Sequence, residues 1–324
     1  MYRLIGAASG WGAQIRECEE GPEVLRTRHL LDDLRENNIP ISTWEMIHPA
    51  KKAKDNLISL SACLPLIHDF TVHLADAVEK TLSSHEFPVV LGGDHSIALG
   101  TWNGAYQFFQ KKNSLPLGLI WIDAHMDAHT LETTPSGAWH GMPLAGLLGY
   151  GVPLLAKLKE SNPVLLPENL CLIGTRSFEE GEARLLKRLN VRIFMANEVK
   201  ERGIESVLKE AIDHVRRRTK VFGVSLDLDV VDPQEAPGVG SPEPGGLNAK
   251  DLMKALLLLK NQEQFKAFEL VEYNPKRDLH GKTAILCQEI LKAVLKTAQD
   301  PEKQSLNSEF VDSLPVHDKI CKHS

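Results

Sequence analysis

The feature that most constrains this chain is a repeated unit, in which a short apolar run, ended by glycines or by acids and imidazoles, is followed by a stretch with helical spacing. Pro88-Val-Val-Leu91 and Leu117-Gly-Leu-Ile-Trp-Ile122 are the clearest runs. Both are brief, rich in branched side chains and apolar at successive positions, as a strand buried on both faces of a parallel sheet must be. Similar runs occupy 2–6, 41–47, Asn169–Ile173, Val191–Phe194, Val221–Leu228 and Phe265–Val271. Between them, apolar residues recur at helical spacing from Pro22 to Asn38, from about Leu57 to Leu82, from Ser96 to Lys112, and over 180–189, 203–218, 247–260 and 281–297. Such alternation predicts an α/β fold, a three-layer αβα arrangement around a mainly parallel sheet of about eight strands. With 324 residues, 43% of them hydrophobic, the chain can bury a large core. No linker-like stretch interrupts the pattern, so residues 1–299 are expected to form a single catalytic domain. The tail 300–324 is polar and loses periodicity, with Pro301 and Pro315. Disorder, or packing on a neighbouring subunit, is the expectation there.

Charge and cysteine usage exclude several functions. A net charge of -6 with a pI near 6.1 argues against a general polyanion binder, which needs a clustered excess of Lys and Arg. The basic cluster Arg216-Arg-Arg218 with Lys220 closes a helical stretch, where cations complement the helix dipole, and reads as a solvated last turn rather than a nucleic-acid patch. Five cysteines, without a C-x-x-C pair, indicate neither a disulfide framework nor a thiolate zinc site. Cys63, Cys171 and Cys287 lie in apolar segments and are expected to be buried small hydrophobes. No apolar run reaches the ~20 residues of a membrane span and no secretory leader is evident, so a cytoplasmic protein is expected.

The chemistry gathers where the apolar runs end. In Trp121-Ile-Asp-Ala-His-Met-Asp-Ala-His129, ionisable side chains recur at every second position. Continued extended backbone would project Asp123, His125 and Asp127, with His129 as a further candidate, to one side. Ser225-Leu-Asp-Leu-Asp-Val-Val-Asp-Pro233 repeats the spacing with Asp227 and Asp229, and Asp232-Pro233 reads as the turn that ends the strand. His95 follows Leu91, and Glu272 follows Val271. Ligands of parallel α/β sheets bind beyond the carboxyl ends of the strands, so four strands deliver acids and imidazoles to one rim. Carboxylates packed together without a cation repel one another or lose their charge. This set has too many oxygens for one tetrahedral zinc centre and suits two hard or borderline ions, with Mn²⁺ the natural candidate. Paired ions roughly 3.5–4 Å apart activate a bridging water near neutral pH, which points to metal-assisted hydrolysis. Gly92-Gly93 lacks the Lys-Ser/Thr of a phosphate-binding loop and instead lets the backbone turn sharply. His140, in Gly137-Ala-Trp-His-Gly141, suits a proton-shuttling imidazole beside that site.

The combined motifs Gly92-Gly-Asp-His-Ser96, Asp123-Ala-His-Met-Asp127, Ser225 to Pro233 and Glu272-Tyr-Asn-Pro275 resemble those of the ureohydrolase family, manganese enzymes that include arginase, agmatinase and formimidoylglutamase. The resemblance runs from residue 2 to about 298. It implies an arginase-like fold and two Mn²⁺ per subunit, one held by His95, Asp123, Asp127 and Asp227, the other by His125, Asp123, Asp227 and Asp229. Seventeen positions separate Asp123 from His140, a spacing like that of the arginase branch, as is Thr133-Thr-Pro-Ser-Gly137. On that resemblance Glu272 pairs with a substrate guanidinium, His140 relays protons and Asp127 hydrogen-bonds the bridging hydroxide. His129, Ser136, Glu179 and Ser241 are then the residues that read the rest of the substrate. The implied reaction is hydrolysis of L-arginine to L-ornithine and urea, and the implied assembly is a homo-oligomer, trimer or hexamer. Three positions depart from the branch: His129 and Ala138 stand where asparagines are usual, and Glu179 replaces an aspartate. Another guanidino compound, such as agmatine, guanidinobutyrate or guanidine, is the alternative substrate. A non-catalytic metal-binding protein on the same scaffold is the alternative from another class.

Overall fold

Residues 1–50, 58–156, 158 and 163–295 are described by a computed structural model. Eight strands form one sheet: β1 (Tyr2–Ala7), β2 (Ile41–Ile47), β3 (Phe87–Gly92), β4 (Leu117–Ile122), β5 (Leu170–Thr175), β6 (Arg192–Met195), β7 (Val221–Asp227) and β8 (Phe265–Val271). Their order is β2-β1-β3-β8-β7-β4-β5-β6, and every pairing is parallel. The mainly parallel sheet read from the sequence is thus parallel throughout. The two strands last in sequence, β7 and β8, fill the gap between β3 and β4. All four motif-bearing strands are therefore neighbours at the centre.

Strand side chains alternate between two cores, which is what makes three layers. Leu4, Val89, Leu91, Ile120 and Ile122 face one side, against helices α1 (Gly21–Thr27), α2 (Leu30–Glu36), α8 (Ala196–Arg202), α9 (Ile204–Arg216), α10 (Ala249–Leu256) and α11 (Lys282–Val294). Ile5, Val90, Leu119 and Trp121 face the other, against α3 (Leu64–Ser83), α4 (Ala98–Tyr106) and α5 (Pro143–Leu147). The period of two along each strand sorts neighbouring residues to opposite faces, and each fully buried Leu or Ile contributes ~1.5–3 kcal/mol. Cys63, Cys171 and Cys287 are free and buried in these layers, as expected, and Cys18 is buried as well.

Several helices differ from their sequence reading. The helix expected from Pro22 to Asn38 is two, parted at His29, whose left-handed φ of 59° ends the first run. The long helix starts at Leu64, with Pro65 in its first turn and a 3-10 turn at Leu60–Cys63 before it; residue 57 lies outside the described residues. The stretch after Ser96 is a 3-10 turn (His95–Ile97), then α4, then a π-helical segment at Gln107–Lys112. Helix α8 and the short α5 and α6 (Pro153–Ala156) were not anticipated. The expected extension to 297 and the tail 300–324 fall outside the described residues. No helix among the described residues is long and apolar enough to cross a membrane.

Candidate metal centre

The central strands β3, β4 and β7 end at or within two residues of an acid, and after each the backbone turns by the same local device. Asp94 accepts from the Ser96 N–H at 2.9 Å, Asp123 from His125 at 2.6 Å and Asp227 from Asp229 at 2.8 Å, each carboxylate capping the amide two residues on. Short polar side chains favour this turn because it satisfies a backbone donor that the sheet no longer does. This corrects the pleat expectation. β4 ends at Ile122 and β7 at Asp227, so Asp123, His125, Asp127 and Asp229 converge through turns rather than along extended strands. Asp127 and Glu272 have positive φ, 49° and 65°, a conformation that non-glycine residues hold only when the surroundings impose it. Arg176, which sequence reasoning missed, pins the Asp229 turn by donating to the carbonyls of Asp229 at 2.6 Å and Glu243 at 2.8 Å. At Gly93 a Cβ would collide with the Ser9 carbonyl, so the expected sharp turn is a close backbone approach between the β3 end and the loop after β1.

These turns bring the predicted acids and imidazoles together. His95 Nδ1 lies 3.1, 2.9 and 3.2 Å from carboxylate oxygens of Asp123, Asp127 and Asp227. His125 Nδ1 lies 2.9 Å from Asp229 and 3.6 Å from Asp123. Asp123 is common to both groups, and His95, Asp123, Asp227 and Asp229 are at most 2% exposed. Trp121 Nε1 donates to Asp123 at 2.9 Å, and its ring stacks on His95 with centroids 4.1 Å apart. Neither aromatic contact was read from the sequence.

The donor set fits divalent ions. His95 Nδ1 is buried and forms no hydrogen bond, although three carboxylate oxygens surround it. On its other side, Nε2 lies 2.9 Å from Ser225 Oγ, and that hydroxyl spends its hydrogen on Glu269 Oε1 at 2.7 Å. Ser225 therefore accepts the Nε2 hydrogen, which leaves Nδ1 a lone pair aimed among carboxylates, the tautomer that a metal ligand needs. Burial and then the Asp123 charge push Asp127 up to about 7, and burial with the Asp229 charge raises Asp227. Four carboxylates this close do not all ionise unless positive charge joins them.

Beside the acids stands a second pair. His140 Nδ1 lies 3.0 Å from Glu272 Oε1, which also accepts from the His95 backbone N–H at 2.8 Å. Burial alone would lower the imidazole, but the Glu272 hydrogen bond and charge outweigh it and hold His140 at about 9. Cys18 Sγ, unread in the sequence, lies 3.2 Å from the other Glu272 oxygen; burial and the Glu272 charge keep it a protonated thiol that donates. The loop after β1 closes this side, for Gly12 donates to Asp94 and accepts from the His140 N–H.

The remaining candidates sit further out. His129 joins neither acid group and instead contacts Glu179 at 2.7 Å, Glu182 at 3.4 Å and Thr133 at 3.1 Å. Glu179 caps helix α7 (Glu180–Arg188) in a reciprocal box with Glu182, a residue missed although an acid three positions after a cap is its sequence signature. Ser136 is exposed and accepts from the Ala138 N–H at 3.1 Å, while Ser241 is half-buried and follows Gly240, where a Cβ would strike Glu272.

Fold and cluster together define an α/β protein with two adjacent groups of acids and imidazoles that could each hold a metal ion, sharing Asp123 at the carboxyl edge of a parallel sheet. The Arginase family profile matches residues 2–296. The arginase of Bacillus caldovelox is 37% identical over 289 residues, 87% of this chain and 93% of that protein. The crystal structure of Bacillus subtilis arginase superposes with a TM-score of 0.82 at 34% identity, covering 91% of this chain and 98% of that one. The Entamoeba histolytica arginase, solved in complex with L-ornithine, has a TM-score of 0.80 at 26% identity, covering 90% and 97%. The chain belongs to the Arginase family.

Proposed function

We propose that this protein is an amidinohydrolase that cleaves L-arginine to L-ornithine and urea with two Mn²⁺ bound. The observation that carries the reading is the Glu272–His140 pair beside the twin acid–imidazole groups. His95, Asp123, Asp127 and Asp227 would hold one ion, and His125, Asp123, Asp227 and Asp229 the other. Bound there, the ions supply Lewis-acid activation of water near neutral pH. Glu272 receives the guanidinium, a cation whose planar fork matches a carboxylate. Asp127 accepts a hydrogen bond from the attacking water. His140, held protonated by Glu272, gives its proton to the departing amine and recovers one from the proton that the attacking water sheds, so that neutral urea and an ammonium product leave. His129, Ser136, Glu179 and Ser241 frame the end of the substrate remote from the reacting carbon. We place residues 1–299 in one catalytic unit, working as a homo-oligomer, trimer or hexamer. Free buried thiols suit a reducing cytoplasm.

One observation favours a second reading. The His129 ring is engaged by Glu179 and Thr133, and Ala138 offers no polar side chain, so the mouth has few free donors for an amino-acid carboxylate. Agmatine or guanidine, which carry no carboxylate, is then favoured over arginine and guanidinobutyrate, which do. Urea release from all four guanidino compounds, measured side by side after manganese loading, decides between them. Brisk turnover of another compound without arginine overturns the first reading. No turnover of any, with fewer than two ions per chain, leaves a metal-binding protein without this activity.

A further inference from the structure

Behind His95 and Ser225 runs a line of side chains that reaches Glu269 and Trp102. Glu269 on β8 and Ser225 on β7 are register partners, so their side chains share a face of the sheet. Both are fully buried. Glu269 Oε1 accepts from Ser225 Oγ at 2.7 Å and from Trp102 Nε1, on helix α4, at 3.2 Å. Trp102 reaches that oxygen by packing closely against Gly223, where any Cβ would collide with its ring. A carboxyl group is costly to bury, and this one is buried on the far side of Ser225 from the acid cluster, with an indole and a strand glycine arranged around it. A merely structural polar contact would not call for that arrangement.

We infer that Glu269 is a positioning residue for the metal seat: by taking the Ser225 hydroxyl hydrogen, it makes Ser225 an acceptor for His95 Nε2–H and so keeps the Nδ1 lone pair directed at the ion. Without an acceptor at Oε1, the Ser225 hydroxyl is free to rotate and donate to Nε2. That reversal moves the imidazole hydrogen to Nδ1 and closes the ligand. The inference rests on the reading that His95 is a metal ligand, and only the His95 seat depends on Glu269. The seat built on His125 does not.

The test is titration of metal-free protein with Mn²⁺, following free ion by electron paramagnetic resonance. The wild type is expected to bind two ions; fewer than two would overturn the metal reading itself, not the role of Glu269. Glu269→Asp keeps the acid but retracts it by one methylene, and Ser225→Ala cuts the line in the middle. Each is expected to weaken one of the two ions ~10–100-fold and the other by less than ~3-fold. Glu269→Gln keeps the reach and an acceptor oxygen and is expected to bind as the wild type does. The double variant Ser225→Ala/Glu269→Asp is expected to lose no more than Ser225→Ala alone, because both act through one hydrogen bond. Unchanged binding in Glu269→Asp, equal weakening of both ions, loss in Glu269→Gln, or additive losses in the double variant would each overturn the inference. Should Glu269→Asp fail to fold, Ser225→Ala and Glu269→Gln still decide: the inference falls if the first binds as wild type or the second loses an ion.

Discussion

The acid cluster and the mouth above it are built on different principles. In the cluster, four neighbouring strands end at one rim and the carboxylates of Asp94, Asp123 and Asp227 each cap their own turn, so these side chains are buried and fixed by backbone. At the mouth, His129, Glu179 and Thr133 hold one another across a loop and a helix start, and the Glu179 side chain is 56% exposed. Interior donors lack solvent as an alternative partner, whereas mouth residues exchange one partner for another at little cost. On the proposed reading the ion donors are tied to the strand ends and the substrate contacts to the loops, the division expected when one scaffold serves several substrates.

Variants at decreasing depth should separate the two regions. Asp227→Ala removes a donor common to both seats; urea release is expected to fall at least ~10³-fold, ~4 kcal/mol of barrier, and the melting temperature in manganese to drop. An unchanged melting temperature would take Asp227 out of the ligand set. His140→Asn leaves the cluster intact and is expected to lower kcat about a hundredfold with little change in bound metal, which metal analysis and steady-state kinetics together read out.

The same residue makes a pH prediction. Its folded pKa, about 9, lies above the ordinary value of ~6.5, so pairing with Glu272 stabilises fully below ~6.5 and is lost as pH rises through about 9. Melting curves of metal-free wild type and His140→Asn should differ most near pH 6 and converge by pH 10. Glu179→Ala, at the mouth, removes a helix cap and the His129 contact. It is expected to cost ~1 kcal/mol of stability and to change KM less than ~10-fold with kcat unaltered. A large fall in kcat there would erase the distinction between the regions.

Legibility in the sequence follows the same division. The ends of the β4 run match the structure residue for residue, because a strand buried on both faces leaves an uninterrupted apolar record; the ends of β2 and β8 match as well, although β2 is a partly exposed edge strand and Lys266 and Glu269 interrupt β8. The rim acids were legible for a similar reason, since so many charges at strand ends have few other uses. What failed to show was anything decided by tertiary contact. The left-handed His29 that parts α1 from α2 has no local signature, and Cys18 lies 254 residues from the Glu272 it touches. Glu269 reads as an interruption in an apolar strand until Ser225 and Trp102 are beside it. The alternation of acids suggested a pleat, when capping turns produced the convergence.

Strand order also sets a schedule for synthesis. His95 and Asp123 emerge early, but the strands that separate and complete them, β7 and β8, are made last, and the His95 N–H meets its Glu272 acceptor across 177 residues of chain. A nascent chain released after β6 would carry His95, Asp123, His125 and Asp127 with no β7 or β8 to hold them, and a bare sheet edge on both β3 and β4. On the proposed reading, ion loading would be a late event in the life of each molecule, and tightly held metal would report that β7 and β8 have joined the sheet.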